Sequence, residues 1–194
     1  TRSSLEKLMI EVCDDFLTPE EYALVCQLKN NHFPWYSQDS TDFPGDGNPQ
    51  FTHMFYQNLH AESYNFGWSD FNHLIMPLVK KIDPFCVLKV KANMTLDTQA
   101  VSNFHMDFED VESRVPPDIS ALFKTAIYYL DDNLGGTEFK DRKEVIHTKA
   151  NRIVIFDSNM LHRSMLPTFG GNRRVVVNIN YIPYSRRNEN GTAD

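Results

Sequence analysis

From Pro84 onward the chain is a succession of short stretches in which apolar and polar residues alternate, each closed by turn formers. FCVLKVKANM, AVSNFHMDF, ALFKTAIYYL, TEF, EVIHT, RIVIF, MLHRSM and RRVVVNINYI follow one another in this way. Period-two alternation bounded by Gly, Asn, Asp and Pro reads as β-strands. The clearest turns are Asp131-Asp132-Asn133 with Gly135-Gly136, then Lys149-Ala150-Asn151, then Gly170-Gly171-Asn172. A run of strands this long after a helical start predicts a β-sandwich or jelly roll backed by helices.

The helical start is legible residue by residue. IEVC reads as a short strand, and Thr18 then caps a helix that has Pro19 at its first position and Glu20 and Glu21 in its first turn. Tyr22, Val25, Cys26 and Lys29 fall on one face of it. A second amphipathic helix is expected over Asp70 to Lys81, with Phe71, Leu74, Ile75, Leu78 and Val79 on its apolar side. Between them, Gln38 to Gly67 shows no sustained period and reads as a long irregular segment. Its aromatics, with Trp35, Phe51, Phe55 and Tyr56, suit either a lid over a substrate or the anchors of a surface loop. The 194 residues are therefore read as one domain over 1–184, with a helical and loop part to 84, a jelly-roll core from 85 to 184, and a flexible tail 185–194.

Composition narrows the function. The chain is 41% hydrophobic and carries a formal charge of −7, which disfavours a nucleic-acid partner. Cys13, Cys26 and Cys86 are odd in number and widely spaced, which fits a reducing compartment and no structural zinc. No apolar run reaches membrane length and no signal-peptide core is seen, so a cytoplasmic protein without a membrane partner is expected.

The chemistry concentrates around NFHMDFED. His105 and Asp107 alternate onto one face of a strand, and an imidazole with a carboxylate is two thirds of the 2-His-1-carboxylate arrangement of non-haem Fe(II) sites. His60 and Glu62 form a second such pair, but in the irregular segment, and are read as a decoy. For the third ligand, His147 ends a strand before a turn, whereas His162 follows a buried-looking strand and precedes an Arg-bearing one; His162 is favoured. In that last strand Val175, Val177, Ile179 and Tyr181 share one face, and Arg174, Val176, Asn178 and Asn180 share the other. An arginine facing a metal site offers a fork for a carboxylate. Alternation favours Arg174 for it, with Arg173 second. Met106 is expected in the core, and Glu109 and Asp110 in solvent at the pocket mouth.

NFHMDF, KTAIYYLDDNLGGTEF and FDSNMLHRSMLPTFGGNRRVVVNINY, in this order, resemble the prolyl-4-hydroxylase-like branch of the Fe(II)/2-oxoglutarate-dependent oxygenases. The motifs cover roughly residues 85 to 182, and IEVCDDFLTPEE is similar to the strand-helix entry of the same branch. The resemblance implies a mainly β fold, a double-stranded β-helix (jelly roll, cupin-like) backed by N-terminal α-helices. It implies Fe(II) held by His105, Asp107 and His162, and 2-oxoglutarate as co-substrate with its far carboxylate on Arg174 and Tyr129. Asn93 is implied as a pocket residue, and Tyr128 is read as packing.

The implied reaction uses O2, with ascorbate as a candidate reductant, and hydroxylates a C–H bond while releasing succinate and CO2. A prolyl residue of a peptide or protein is the first expected substrate, and a free amino acid or other small molecule is its rival. Three departures refine the resemblance. Arg174 stands where collagen-type members carry Lys, and Asn180 where an aromatic is frequent. No second Arg follows six residues on, unlike the nucleic-acid dealkylases. Asp107 itself argues for hydroxylation over halogenation. Two other readings are a non-catalytic jelly-roll binding module and a hydrolytic or isomerising cupin on another metal.

Overall fold

The computed structural model describes residues 9–40, 49–58, 67–96, 102–107, 117–132, 135–142, 144–165 and 173–184. Two antiparallel sheets carry them. The larger has seven strands in the order β1 (Glu11–Cys13), β8 (Arg152–Asp157), β5 (Lys124–Tyr129), β10 (Arg174–Ile182), β4 (Cys86–Thr95), β3 (Gln50–Gln57) and β2 (Tyr36–Gln38). The smaller has β7 (Glu144–His147), β6 (Gly136–Phe139) and β9 (His162–Met165). In the larger sheet β1, β8, β5, β10 and β4 are non-consecutive neighbours, the mark of a jelly roll in which the chain passes back and forth between facing sheets.

Alternation along β10 divides the interior in two. Val175, Val177, Ile179 and Tyr181 face a core made with Val25, Leu28, Leu74, Ile75 and Leu78 from the helical layer. Val176 faces the other way, into a smaller cluster with Ile127, Tyr129, Phe139, Phe156 and Met160 between the sheets. Burying a side chain such as Ile179 contributes about 2 kcal/mol, and the helix-side core holds most such residues. Tyr128 belongs to this core, as expected, and also donates from its hydroxyl to Asn151 Oδ1 at 2.8 Å.

The helical layer follows the sequence signals at its start and departs from them later. Thr18 and Glu21 form a capping box at the head of α1 (Pro19–Val25), with Thr18 Oγ1 accepting from the Glu21 amide at 3.3 Å and Glu21 Oε2 from the Thr18 amide at 3.0 Å. Asp70 to Lys81 is not one helix. A 3-10 turn at Asn72–Leu74 precedes α2 (Met76–Ile82), because Pro77 lacks an amide and is tolerated only in a first turn.

Gln38 to Gly67 is not wholly irregular either. Gln50–Gln57 is a strand paired with β4, and Tyr36–Gln38 pairs with it in turn. Buried Gln50, Thr52 and His53 and a register shift between Met54 and Tyr56 hide the apolar alternation. Of the lid candidates, Phe55 is fully buried in the helix-side core, and Trp35, Phe51 and Tyr56 pack against it, which makes them anchors. Residues 41–48 and 59–66, the latter including His60 and Glu62, lie outside the described residues, as do Glu109, Asp110 and the tail 185–194.

His53 ties this added edge to the helical layer. Its Nδ1 donates to the Pro34 carbonyl at 2.8 Å, so Nε2 is left to accept from the Ser69 hydroxyl at 2.8 Å. Phe33 and Phe55 pack against the ring. Burial holds the imidazole pKa below its ordinary value, with the Pro34 carbonyl partly opposing. A histidine with a depressed folded pKa binds fewer protons folded than unfolded. Stability should therefore fall as pH drops below about 6.5 and level off once the folded pKa is passed. Urea midpoints between neutral pH and pH 5 should show this slope in the parent protein and less of it in His53→Gln.

Asn151 fastens the N-terminal segment to the sheet. It sits in the left-handed region at φ 60°. Its Oδ1 accepts from the Leu17 amide at 2.8 Å and its Nδ2 donates to the Leu17 carbonyl at 2.9 Å, while its own carbonyl accepts from the Phe16 amide at 2.9 Å. Asn151→Ala loses the side-chain bonds, orphans the Tyr128 hydroxyl and strains the backbone, a loss of roughly 3 kcal/mol. Asn151→Gly should cost less, since glycine tolerates the turn; chemical denaturation of both variants checks the order.

Candidate metal and co-substrate site

His162 opens β9 after a turn closed by the Met160 amide on the Asp157 carbonyl at 3.0 Å. Phe156 meets its ring edge-on at 4.8 Å between centroids. The His105 stretch is not the strand that alternation suggested. It joins the small sheet through a single antiparallel bridge, His105 to His162, made by both main-chain hydrogen bonds at 3.0 Å. That bridge brings the two rings within 4.8 Å, centroid to centroid. Asp107 follows in a turn, and its Oδ1 lies 3.7 Å from His162 Nε2.

One ligand atom from each of the three residues lies within 4.8 Å of the others, a group able to hold a metal ion, and the one such group among the described residues. Both imidazoles are fixed through Nδ1, His162 on the Met160 carbonyl at 2.9 Å and His105 on the Asn103 carbonyl at 3.1 Å. A carbonyl can only accept, so Nδ1 carries a proton and Nε2 is the nitrogen a metal would take. Burial pushes the Asp107 carboxyl up, but His162, Lys89, Thr125 and His105 more than offset this and hold it at about 2. Its Oδ2 accepts from Thr125 Oγ1 at 2.6 Å and from Asn180 Nδ2 at 2.7 Å.

A second cluster lies on the face of the large sheet that carries Thr125 and Asn180. Arg174 is 4% exposed. Its guanidinium stands over the Tyr129 ring at 5.5 Å, and its NH2 group donates weakly to Thr137 Oγ1 at 3.5 Å. The Tyr129 hydroxyl donates to the same oxygen at 2.7 Å. No carboxylate among the described residues pairs with Arg174, and its Nε has no hydrogen-bond partner there. Burial pulls the guanidinium pKa down and pushes the Tyr129 hydroxyl up, each partly opposed by the other group. A buried cation without a counter-charge is costly and therefore calls for an anion.

The surrounding wall repeats the pattern. Seven buried side-chain polar atoms lack a partner among the described residues, and six of them belong to Asn93, Thr95, Ser164, Arg174, Asn178 and Asn180. Buried polar groups are normally paired, so their gathering on the facing strands β4, β9 and β10 marks an interior shaped for a polar ligand.

No protein-family model matches the sequence, and no curated protein matches it. Solved structures do match. A 2OG-Fe(II) oxygenase-family oxidoreductase from Burkholderia pseudomallei superposes with TM-score 0.63 at 11% identity, covering 89% of this chain and 84% of that one. A Trichoplax adhaerens prolyl hydroxylase in complex with a hypoxia inducible factor oxygen degradation domain peptide fragment gives 0.61 at 13%, over 92% and 85%. HygX from Streptomyces hygroscopicus, with nickel, 2-oxoglutarate and hygromycin B bound, gives 0.53 at 13%, over 95% and 88%. The fold is that of the 2-oxoglutarate–Fe(II) oxygenases.

In this fold His105, Asp107 and His162 converge, while Arg174, Tyr129 and Asn93 lie on one face of the large sheet. Asn93 is buried, opposite Val176, which pairs on its other side with Tyr129, so all three share the inner face. Arg173 is exposed on the outside, where it donates to the Lys29 carbonyl at 2.7 Å. His147 is exposed at the end of β7. Met106 is half-buried and outside the core clusters. Thr125, Thr137 and Asn180 touch the site residues; alternation puts Thr125 on the face of Tyr129 and Asn180 on that of Arg174, but the sequence marks none of the three as a hydrogen-bond partner of a site residue. Removing one of three ligands should weaken Ni(II) binding at least roughly 100-fold in His162→Ala, about 2.7 kcal/mol. His147→Ala should bind as the parent does; equilibrium dialysis distinguishes the two.

Proposed function

We propose that the protein is an Fe(II)- and 2-oxoglutarate-dependent dioxygenase that hydroxylates a C–H bond. The observation that carries this reading is Arg174, buried with no carboxylate partner among the described residues, on the sheet face whose Thr125 and Asn180 hydrogen-bond to Asp107 of the His-Asp-His group. Two imidazoles and a carboxylate suit Fe(II) with open positions for small ligands. Bound there with 2-oxoglutarate and O2, the metal supplies the oxidising chemistry that yields succinate, CO2 and a hydroxylated product.

The protein's own groups do the rest. His105, Asp107 and His162 hold the ion, with Nδ1 of each ring locked to a carbonyl so that neither imidazole can rotate away. Arg174, Tyr129 and Thr137 gather hydrogen-bond donors for the far carboxylate of 2-oxoglutarate, a dicarboxylate that neutralises the buried guanidinium. Asn93 and Asn178 line the wall next to this row. Phe139 and Phe156 keep water from the back of His162. No general base is required.

For the substrate, a prolyl residue of a peptide or protein is the first choice, supported by the likeness to the peptide-bound prolyl hydroxylase. A small polar molecule is kept as the second reading because Asn180 stands where an aromatic wall is frequent, and HygX, which binds hygromycin B, shares the fold.

Anaerobic addition of Fe(II) and 2-oxoglutarate to the apo-protein should produce the weak visible charge-transfer absorption of the chelate. Arg174→Met should weaken 2-oxoglutarate binding roughly 30- to 100-fold, as expected for loss of a charged hydrogen-bonded pair, while Arg173→Met leaves it unchanged. A metal-binding protein with no such band, or with affinity for the metal independent of 2-oxoglutarate, would instead be a hydrolytic or isomerising cupin. Succinate formation coupled to the mass gain of one oxygen atom, screened over prolyl peptides and small polar metabolites, identifies the substrate.

A further inference from the structure

We infer that Asn180, acting with Thr125, is a positioning residue that turns one oxygen of Asp107 toward the two imidazoles and withholds the other. The inference rests on the reading of His105, Asp107 and His162 as metal ligands. A carboxylate has two equivalent oxygens and can rotate or chelate through both. Here the symmetry is broken from the side of the large sheet. Oδ2 accepts from Thr125 Oγ1 at 2.6 Å and from Asn180 Nδ2 at 2.7 Å, while Oδ1 faces His162 Nε2 at 3.7 Å. Two short charge-assisted bonds occupy Oδ2, so Oδ1 is the oxygen left for the ion.

The protons of this network can be assigned without ambiguity. Asn180 Nδ2 reaches two oxygens, Asp107 Oδ2 and Thr125 Oγ1 at 3.0 Å. A flipped amide would set its carbonyl against the carboxylate, so the nitrogen must face Asp107. Thr125 has one proton and spends it on Asp107, and Ser158 Oγ, 2.9 Å away, then donates to Thr125. Every proton therefore runs toward Asp107. Thr125 and Asn180 are fully buried and Ser158 is 3% exposed, so water does not compete. The register makes this possible, since Asn180 of β10 lies directly opposite Thr125 of β5. Each histidine Nδ1 is held by a main-chain carbonyl, whereas Asp107 Oδ2 is held by two side chains, and a His-Asp-His group does not itself demand an amide at position 180.

The test uses the full chain with Co(II) as probe, reading its dissociation constant and its visible d–d absorption. Asn180→Leu and Thr125→Val are near-isosteric and each removes one donor. Each should weaken Co(II) binding about 10- to 100-fold, the range for losing a partner of a metal ligand, and alter the d–d bands. Thr125→Ser keeps the hydroxyl and should restore affinity and spectrum. If Asn180→Leu does not fold, Thr125→Val and Thr125→Ser carry the test alone. A purely structural role would lower the thermal midpoint while Co(II) affinity and spectrum stay as in the parent, and that result overturns the inference. Failure of the parent protein to bind Co(II) removes the metal-site reading together with this inference, whereas parent binding with unaffected variants removes the inference alone.

Discussion

The antiparallel pairing of β10 with β4 and β5 is the constraint on which the rest depends. It places Arg174 opposite Thr95, Val176 between Asn93 and Tyr129, and Asn180 between Lys89 and Thr125. Side chains alternate with a period of two, so a slip of one residue would turn Arg174 and Asn180 into the helix-side core and Val175 and Val177 into the site. Such a slip would bury a cation among Leu28, Leu74 and Leu78, a cost far beyond any gain from the alternative pairing. The apolar side of the strand thus enforces the register, and the polar side benefits from it.

The arrangement also explains which of two adjacent arginines meets the site. Arg173 precedes the strand and finds an outward partner in the Lys29 carbonyl. Arg174 is the first residue of β10 and shares the inward parity of Asn178 and Asn180. Among the described residues Arg174 has no counter-charge and the amide oxygens of Asn93, Asn178 and Asn180 have no partner, an arrangement that is unfavourable by itself. The helix-side core offsets that cost.

Much of this was legible in the sequence because alternation is a strong signal where one face is apolar. The two faces of β10, the pairing of Thr125 with Tyr129 on one face, the Thr18 cap and the preference for His162 over His147 all came from local pattern. Other features were not. β3 carries buried Gln50, Thr52 and His53, so its membership in the sheet is decided by β4 and not by its own periodicity. The His105 stretch was assigned as a strand, yet one bridge to His162 and a turn at Asp107 achieve the same convergence. Pro77 broke an expected helix whose apolar spacing continues across the break. The partnerships of Asn151 with Leu17, at a separation of 134 residues, and of Asn180 with Asp107, at 73, are products of the closed fold and leave no local trace.

Asn180 links the metal site to the question of substrate. An aromatic at that position would supply an apolar wall suited to a pyrrolidine ring, but it could not give Asp107 an amide proton in the same geometry. With asparagine there, Nδ2 is committed to Asp107 and Thr125, and Oδ1 becomes a buried acceptor beside the ligand carboxylate. Asn178, two residues earlier on the same face, adds a second acceptor, and Lys89 and Lys91 lie directly across on β4. The face of β10 and β4 next to Asp107 therefore presents amide oxygens and lysines where an aromatic would present an apolar wall. For the proposed hydroxylation, such a face suits a substrate with polar groups of its own, whether the backbone of a peptide or the substituents of a small molecule.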